Sequence, residues 1–162
     1  MNEIKIRRFQ TGDEQSVLEL IEKVLTSEFP LEASAYSSED IQDISNSYGK
    51  LGEAFFVAVK NNHIVGTVGI KRDDERTALL RRLFVKAEER KQRLGEKLID
   101  QAVGFAREVG YDELIFKTTS TMKPAVKLGE RKGFVPKARI NVGPIQLLKF
   151  GLNLKKQNLN HH

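Results

Sequence analysis

The chain has no cysteine among its 162 residues, which removes both a disulfide framework and thiolate chemistry. No apolar run approaches the ~20 residues that a membrane-crossing helix needs. No signal-peptide hydrophobic segment opens the sequence either, so a cytoplasmic protein with no membrane partner is expected. Two familiar phosphate-binding signatures are missing as well: there is no GxxxxGK(S/T) and no GxGxxG after a strand, which excludes a P-loop and a Rossmann fingerprint. Internal repeats and low-complexity linkers are absent, and the length fits the roughly 100 to 200 residues of one domain. Charge of one sign never gathers into a long run. The net charge of +5 and pI near 9.4 suit an anionic ligand and would suit nucleic acid too, but their scatter argues against a dedicated nucleic-acid arm.

The sequence is organised instead around Arg90-Lys91-Gln92-Arg93-Leu94-Gly95. Before this stretch, Leu79 to Val85 has the length and residue types of a strand. After it, apolar residues at Leu94, Leu98, Ala102, Phe105 and Val109 fall on one face of a helix, which Gly110 stops in a left-handed conformation. A strand that runs through a basic turn into a helix aims unpaired N–H groups and the positive end of the helix dipole at one point. That point suits a phosphate. A solvated cluster of Arg90, Lys91 and Arg93 in an ordinary strand-helix connection is the plainer reading of the same residues.

From the N-terminus, Ile4 and Ile6 alternate with Lys5 and Arg7 as in a half-exposed strand. Thr11 and Glu14 form a capping-box pattern ahead of a helix marked by Val17, Leu20, Ile21, Val24 and Leu25, which Phe29-Pro30 breaks. The serine-rich segment from Leu31 to Leu51 reads as a short weak helix or a mobile surface connection. Strands follow at 53–60, 64–71 and 77–85 as an antiparallel meander. Gly66 and Gly69 within the second of these imply a bulge or a close backbone approach. Glu113 to Thr118 is reached by a crossover helix and is expected parallel to its neighbour. Pro124 opens a last helix that Gly133 closes, and 134–141 with 145–152 form a hairpin around Gly143-Pro144. The apolar excess of Ile145 to Leu152 suggests an exposed edge that a second copy covers, so a homodimer is plausible.

With Leu83-Phe84-Val85 closing the strand and Arg90 to Gly95 forming the turn, this region resembles the acetyl-CoA loop of the GNAT superfamily of N-acetyltransferases. Leu128-Gly129-Glu130-Arg131-Lys132-Gly133-Phe134 resembles the family's Leu-Tyr-Glu-Lys-x-Gly-Phe ending of the helix after the fifth strand. The resemblance extends over nearly the whole chain in order of elements. It implies a mixed α/β fold over residues 1–154, with a polar tail at 155–162. The sheet would be mostly antiparallel, of six to seven strands, flanked by helices and splayed between the fourth and fifth strands. It also implies acetyl-CoA as co-substrate and no metal. The implied cofactor-binding set is Leu83, Phe84, Val85, Arg90, Lys91, Gln92, Arg93, Leu94, Gly95 and Glu96, with the peptide groups of Leu83 and Val85 on the pantetheine and the N–H groups of 90–95 on the pyrophosphate.

Departures from the family pattern concern chemistry. Arg93 stands where relatives usually have a glycine, and Gly129 where they often have the tyrosine that protonates the leaving thiolate. Leu79 replaces a carboxylate found near the start of the fourth strand, and Met122 an asparagine. The usual acid and base are therefore not carried over. Tyr48 and Tyr36 are weak candidates for a proton donor, and Glu28 and Glu32 for attraction of a cationic amine. Thr118, Thr119 and Ser120 could bind water or substrate. His63 reads as a surface turn residue, and His161 and His162 as remnants of a tag. The leading expectation is an N-acetyltransferase that acts on a primary amine of a small molecule or protein. Alternatives are an acetyl-CoA-binding module without efficient catalysis and, resting only on charge, a basic nucleic-acid-binding domain.

Overall fold

The computed structural model describes residues 3–29 and 39–155. Among the described residues seven strands form one sheet in the order β1-β2-β3-β4-β5-β7-β6. They are β1 (Ile4–Arg8), β2 (Ala54–Lys60), β3 (His63–Arg72), β4 (Thr77–Val85), β5 (Glu113–Thr119), β6 (Val135–Val142) and β7 (Ile145–Asn153). Every pairing is antiparallel except β4 with β5. The parallel pair is the one bridged by a crossover helix, as a connection of that length requires. Phe55, Phe56, Val57 and Ala58 of β2 are all buried because both faces of the sheet are covered there.

One face carries α1 (Glu14–Glu28) and two single-turn helices, α2 (Glu39–Gln42) and α3 (Ile44–Ser47). The other carries α4 (Leu94–Val109) and α5 (Lys123–Arg131). The first layer buries Val17, Leu20, Ile21, Val24 and Leu25 against Phe55, Val57 and Phe84. Leu94, Leu98, Ile99, Ala102 and Ala106 of α4 pack on Phe56, Val68, Ile70 and Leu80 in the second. The five buried positions of α1 are those its periodicity marks, yet its start differs from the capping box expected at Thr11. Asp13 is the N-cap and its carboxylate does not cap the helix. It accepts instead from the Arg7 guanidinium, at 2.7 and 3.1 Å, and from the Gln10 N–H. An ion pair to β1, six residues back in the chain, outcompetes the capping motif.

Between β3 and β4 the ladder slips: Thr67 pairs with Phe84 and Gly69 with Arg81, so β4 holds one residue more than β3 over this span. Arg82 has φ of 55° in this bulge, and its carbonyl accepts a 2.7 Å hydrogen bond from the buried Thr67 hydroxyl. Pairing of β4 with β5 ends at Leu80 and Phe116, and the two strands part beyond that point. The glycines of β3 serve close approach. A Cβ on Gly66 would lie 2.9 Å from Leu98, and one on Gly69 would lie 2.8 Å from the Tyr48 ring.

The hairpin corrects the expected free edge. β7 lies between β5 and β6 with its backbone paired on both sides, so it is not an open edge, although Leu147 stays exposed on its face. β6 is the outer strand, exposed along its whole length, and the argument for a homodimer on β7 loses its premise. No helix among the described residues is long and apolar enough to cross a membrane.

Two glycines separate packing from conformational freedom. Gly69→Val should lower stability by about 1–3 kcal/mol, because its side chain overlaps Tyr48 and Phe55. Gly104→Ala, in α4 with no atom within 4 Å of an added Cβ, should raise it by about 0.5–1 kcal/mol. Urea unfolding of both variants measures this, and a neutral Gly69→Val would refute the close approach.

Candidate functional site

The parted ends of β4 and β5 open a cleft of about 500 Å³. Leu83, Phe84 and Val85 form one wall, and Met122, Pro124, Ala125 and Leu128 the other. Val24 and Phe29, from the end of α1, close one side; their positions were unremarkable in sequence, since only the fold brings α1 to this gap. Past Leu80 the peptide groups on the β5 side of β4 have no partner strand, which leaves an edge able to accept an extended chain. One of them, the Val85 carbonyl, accepts from Nε and Nη2 of Arg90 at 3.2 and 3.1 Å.

The cleft ends at the turn from β4 into α4. A 3₁₀ segment (Ala87–Gln92) precedes Arg93, which is the N-cap of α4 with φ 59° and ψ 28°. The position usually glycine in the resembled family is therefore left-handed here, at a cost of roughly 1–2 kcal/mol for a residue with a Cβ. The first helical bond of α4 runs from the Lys97 N–H to the Arg93 carbonyl, so the N–H groups of Leu94, Gly95 and Glu96 precede the ladder. The side chains of Arg90, Arg93 and Arg131 line the same end of the cleft, and Arg131 holds Glu96 at 3.2 Å. Leu94 is buried in the core and offers the cleft its backbone alone. The Lys91 and Gln92 side chains lie outside the described part. An added Cβ on Gly95 would come 2.7 Å from Leu128, a contact that joins α4 to α5.

A second cavity of about 380 Å³ continues from the first and shares Leu83, Phe84, Met122 and Ala125 with it. Leu79 lines it, so the position of the missing family carboxylate faces this space. Thr118 lines it as well and donates to the Met122 sulfur at 3.5 Å. Thr119 and Thr121 share a 2.9 Å bond, and the Ser120 hydroxyl accepts from the Gln146 N–H, which gives these hydroxyls turn-forming roles.

The proton-donor candidates fare differently. Tyr48 is buried outside both cavities, and its hydroxyl donates to Asp40, which also accepts from Nε and Nη2 of Arg82. Burial and the neighbouring carboxylate push the phenol far above its ordinary value, so it is a poor acid. The same cluster acts on Asp40: burial raises its pKa, but the bonds from Arg82 and Tyr48 outweigh burial and hold it below the usual carboxylate range. It is a poor base. Tyr36 and Glu32 lie outside the described residues. Glu28 pairs with Arg90, and His63 is an exposed residue at the start of β3. The Cβ direction of Gly129 points at the Phe116 ring, 3.3 Å away, so a tyrosine there would require that ring to move. Among the described residues no group of His, Cys, Asp and Glu could hold a metal ion.

The lowered Asp40 pKa means that its contribution to stability is present above the unfolded value of about 4 and is lost as pH falls through the folded one. Tyr48→Phe removes a donor and should cost about 1–3 kcal/mol at neutral pH. It should also raise the folded Asp40 pKa toward the unfolded value, so that the acid-labile part of the stability is smaller and its loss is complete at a higher pH. Denaturant midpoints measured from pH 3 to 7 test both effects; an unchanged acid limb would show that the hydroxyl does not stabilise Asp40.

The sequence profile of the Acetyltransferase (GNAT) family matches residues 18–134. The probable N-acetyltransferase camello of Xenopus tropicalis is 37% identical over 125 residues, covering 74% of this chain and 56% of that protein. The chain spans about half the length of the curated relatives it matches. An acetyltransferase from Streptococcus agalactiae superposes with a TM-score of 0.84 at 24% identity, covering 93% of this chain and 98% of that one. Salmonella typhimurium yncA, solved with its cofactor acetyl-CoA, gives 0.80 at 17% identity and covers 97% of each chain. Two likenesses at so low an identity show the fold alone, but the family profile covers most of the chain, including the basic turn at 90–95 and the ending of α5: the chain belongs to the GNAT family of acetyltransferases.

Proposed function

We propose that the chain transfers the acetyl group of acetyl-CoA to a primary amine of a small molecule or protein. The observation that carries this reading is the opening between β4 and β5, which leads directly to the first turn of α4. The pantetheine arm would lie along the open edge of β4 at Leu83 to Val85. The pyrophosphate would meet the N–H groups of 94–96, with Arg93 and Arg131 beside them. Likeness of fold to a Salmonella protein solved with its cofactor acetyl-CoA supports acetyl-CoA as the ligand. A cytoplasmic setting is part of this proposal and rests on the cysteine-free composition.

In the reaction the neutral amine nitrogen attacks the thioester carbonyl carbon, a C–N bond forms, and the C–S bond breaks. The nitrogen loses one proton and the departing thiolate gains one, so the products are the acetamide and the free thiol. With Tyr48 held on Asp40, and Asp40 ionised and paired, water carries these protons. Positioning in the cleft supplies the rate. General acid help is typically worth ~10²- to 10⁴-fold, so a chain without it turns over slowly unless the amine is already neutral. Turnover should accordingly rise with pH. An acetyl-CoA-binding module without efficient catalysis is the second reading, favoured by Gly129. Thiol release on adding amines separates the two.

Gly95→Asp should weaken acetyl-CoA binding about tenfold or more, by setting a carboxylate at the pyrophosphate position. Gly95→Ala asks only that the flexible end of Leu128 move, and should weaken it less. Calorimetry on folded variants checks this; equal affinity in Gly95→Asp would move the phosphate site elsewhere.

A further inference from the structure

The geometry points to an acceptor that carries a carboxylate beside its amine, a free amino acid, held by Arg81 and Lys117 at the mouth of the second cavity. The inference rests on the acetyl-transfer reading and narrows its substrate. The parallel register of β4 with β5 runs Thr77 with Glu113 through Leu80 with Phe116. Continued by one step, it would set Arg81 beside Lys117. The sheet parts at this step, so two cations stand on either side of the gap, and both line the cavity. Like charges directly opposed are unfavourable, and an anion between them relieves the repulsion.

Among the described residues Lys117 has no ion-pair partner, and Arg81 has only a long, partly exposed one. Asp40 is committed to Arg82 at 2.5 Å and lies 4.0 Å from Arg81, whose side chain is 37% exposed. Lys117 is exposed, and the residue opposite it on β7 is another exposed cation, Lys149. Three cations therefore line or flank this mouth against a carboxylate already paired with a fourth. The rest of the lining suits a small molecule: Leu79 and Ile115 give an apolar wall, and about 380 Å³ accommodates an amino acid. Phe84, Met122 and Ala125 lie where this cavity joins the acetyl-CoA cleft. A carboxylate anchored at Arg81 and Lys117 would leave the amine free to face that junction. Its nitrogen then forms the C–N bond as the C–S bond breaks, with the nitrogen's proton lost through water and the thiolate protonated to the thiol.

The test is a set of matched acceptors assayed by thiol release, at a pH where each amine is largely neutral. It comprises several amino acids, their carboxamides, their decarboxylated amines, and phosphoethanolamine. Amino acids should exceed their uncharged counterparts about tenfold or more in kcat/KM. In Lys117→Met and in Arg81→Gln, two variants at exposed or half-exposed positions, that ratio should collapse toward one, chiefly through KM. If carboxamides and simple amines react as well as amino acids in the parent protein, the acceptor inference fails while acetyl transfer stands. Preference for phosphoethanolamine would overturn the carboxylate assignment. No thiol release with any amine would bring down both readings.

Discussion

The bulge at Arg82 is the constraint on which the site depends. Pairing of β4 with β5 stops at Leu80, directly before the bulge in β4. The extra residue opposite Gly69 and Thr67 re-aims the strand. A left-handed Arg82 is strained, and the surroundings hold it there: Thr67 donates to its carbonyl, and Asp40 takes its buried guanidinium. Tyr48 completes the Asp40 shell and reaches it by packing over Gly69, where a side chain would overlap its ring. Removing either charge would leave its partner buried and uncompensated, which is far more costly than the pair is beneficial. The device therefore behaves as a specificity element: it fixes where the sheet opens.

That arrangement explains which parts of the molecule were legible in sequence. Helix α4, its Gly110 stop and the basic turn that precedes it were readable because each is a local pattern, and the ending of α5 likewise. Gly66 and Gly69 announced a close approach without saying to what. The bulge was invisible, since Arg82 sits in an unbroken strand pattern and its partner Asp40 lies 42 residues away. Tertiary pairing also explains the two local differences. Helix α1 starts after Asp13, which is held by Arg7 of β1, in place of the expected Thr11–Glu14 box, and β7 is an inner strand because it pairs with β5 while β6 folds back outside it. Arg93 was flagged as a departure from the family's glycine, and its left-handed φ gives the departure a physical meaning.

Chemistry in this cleft follows from what its groups are already doing. The acidic side chain near the second cavity is ionised and paired, and the tyrosine beside it is held neutral and out of reach. Neither is poised near neutral pH, as a general acid or base should be. What the chain does supply is placement: an open strand edge, a helix N-terminus with arginines beside it, and a junction where two cavities meet at Phe84, Met122 and Ala125. On the proposed acetyl-transfer reading, such a site would accelerate transfer by holding two reactants in line, and the acceptor's own pKa would set the pH dependence.

The central claim, that coenzyme A enters between β4 and β5 with its pyrophosphate at the start of α4, is tested most directly by titrating the ¹⁵N-labelled protein with coenzyme A and following amide shifts. The account predicts that the largest perturbations fall on residues 93–96 and on 83–85, with little change along β1 and β6. Saturable shifts confined to another surface, or none at millimolar ligand, would contradict it.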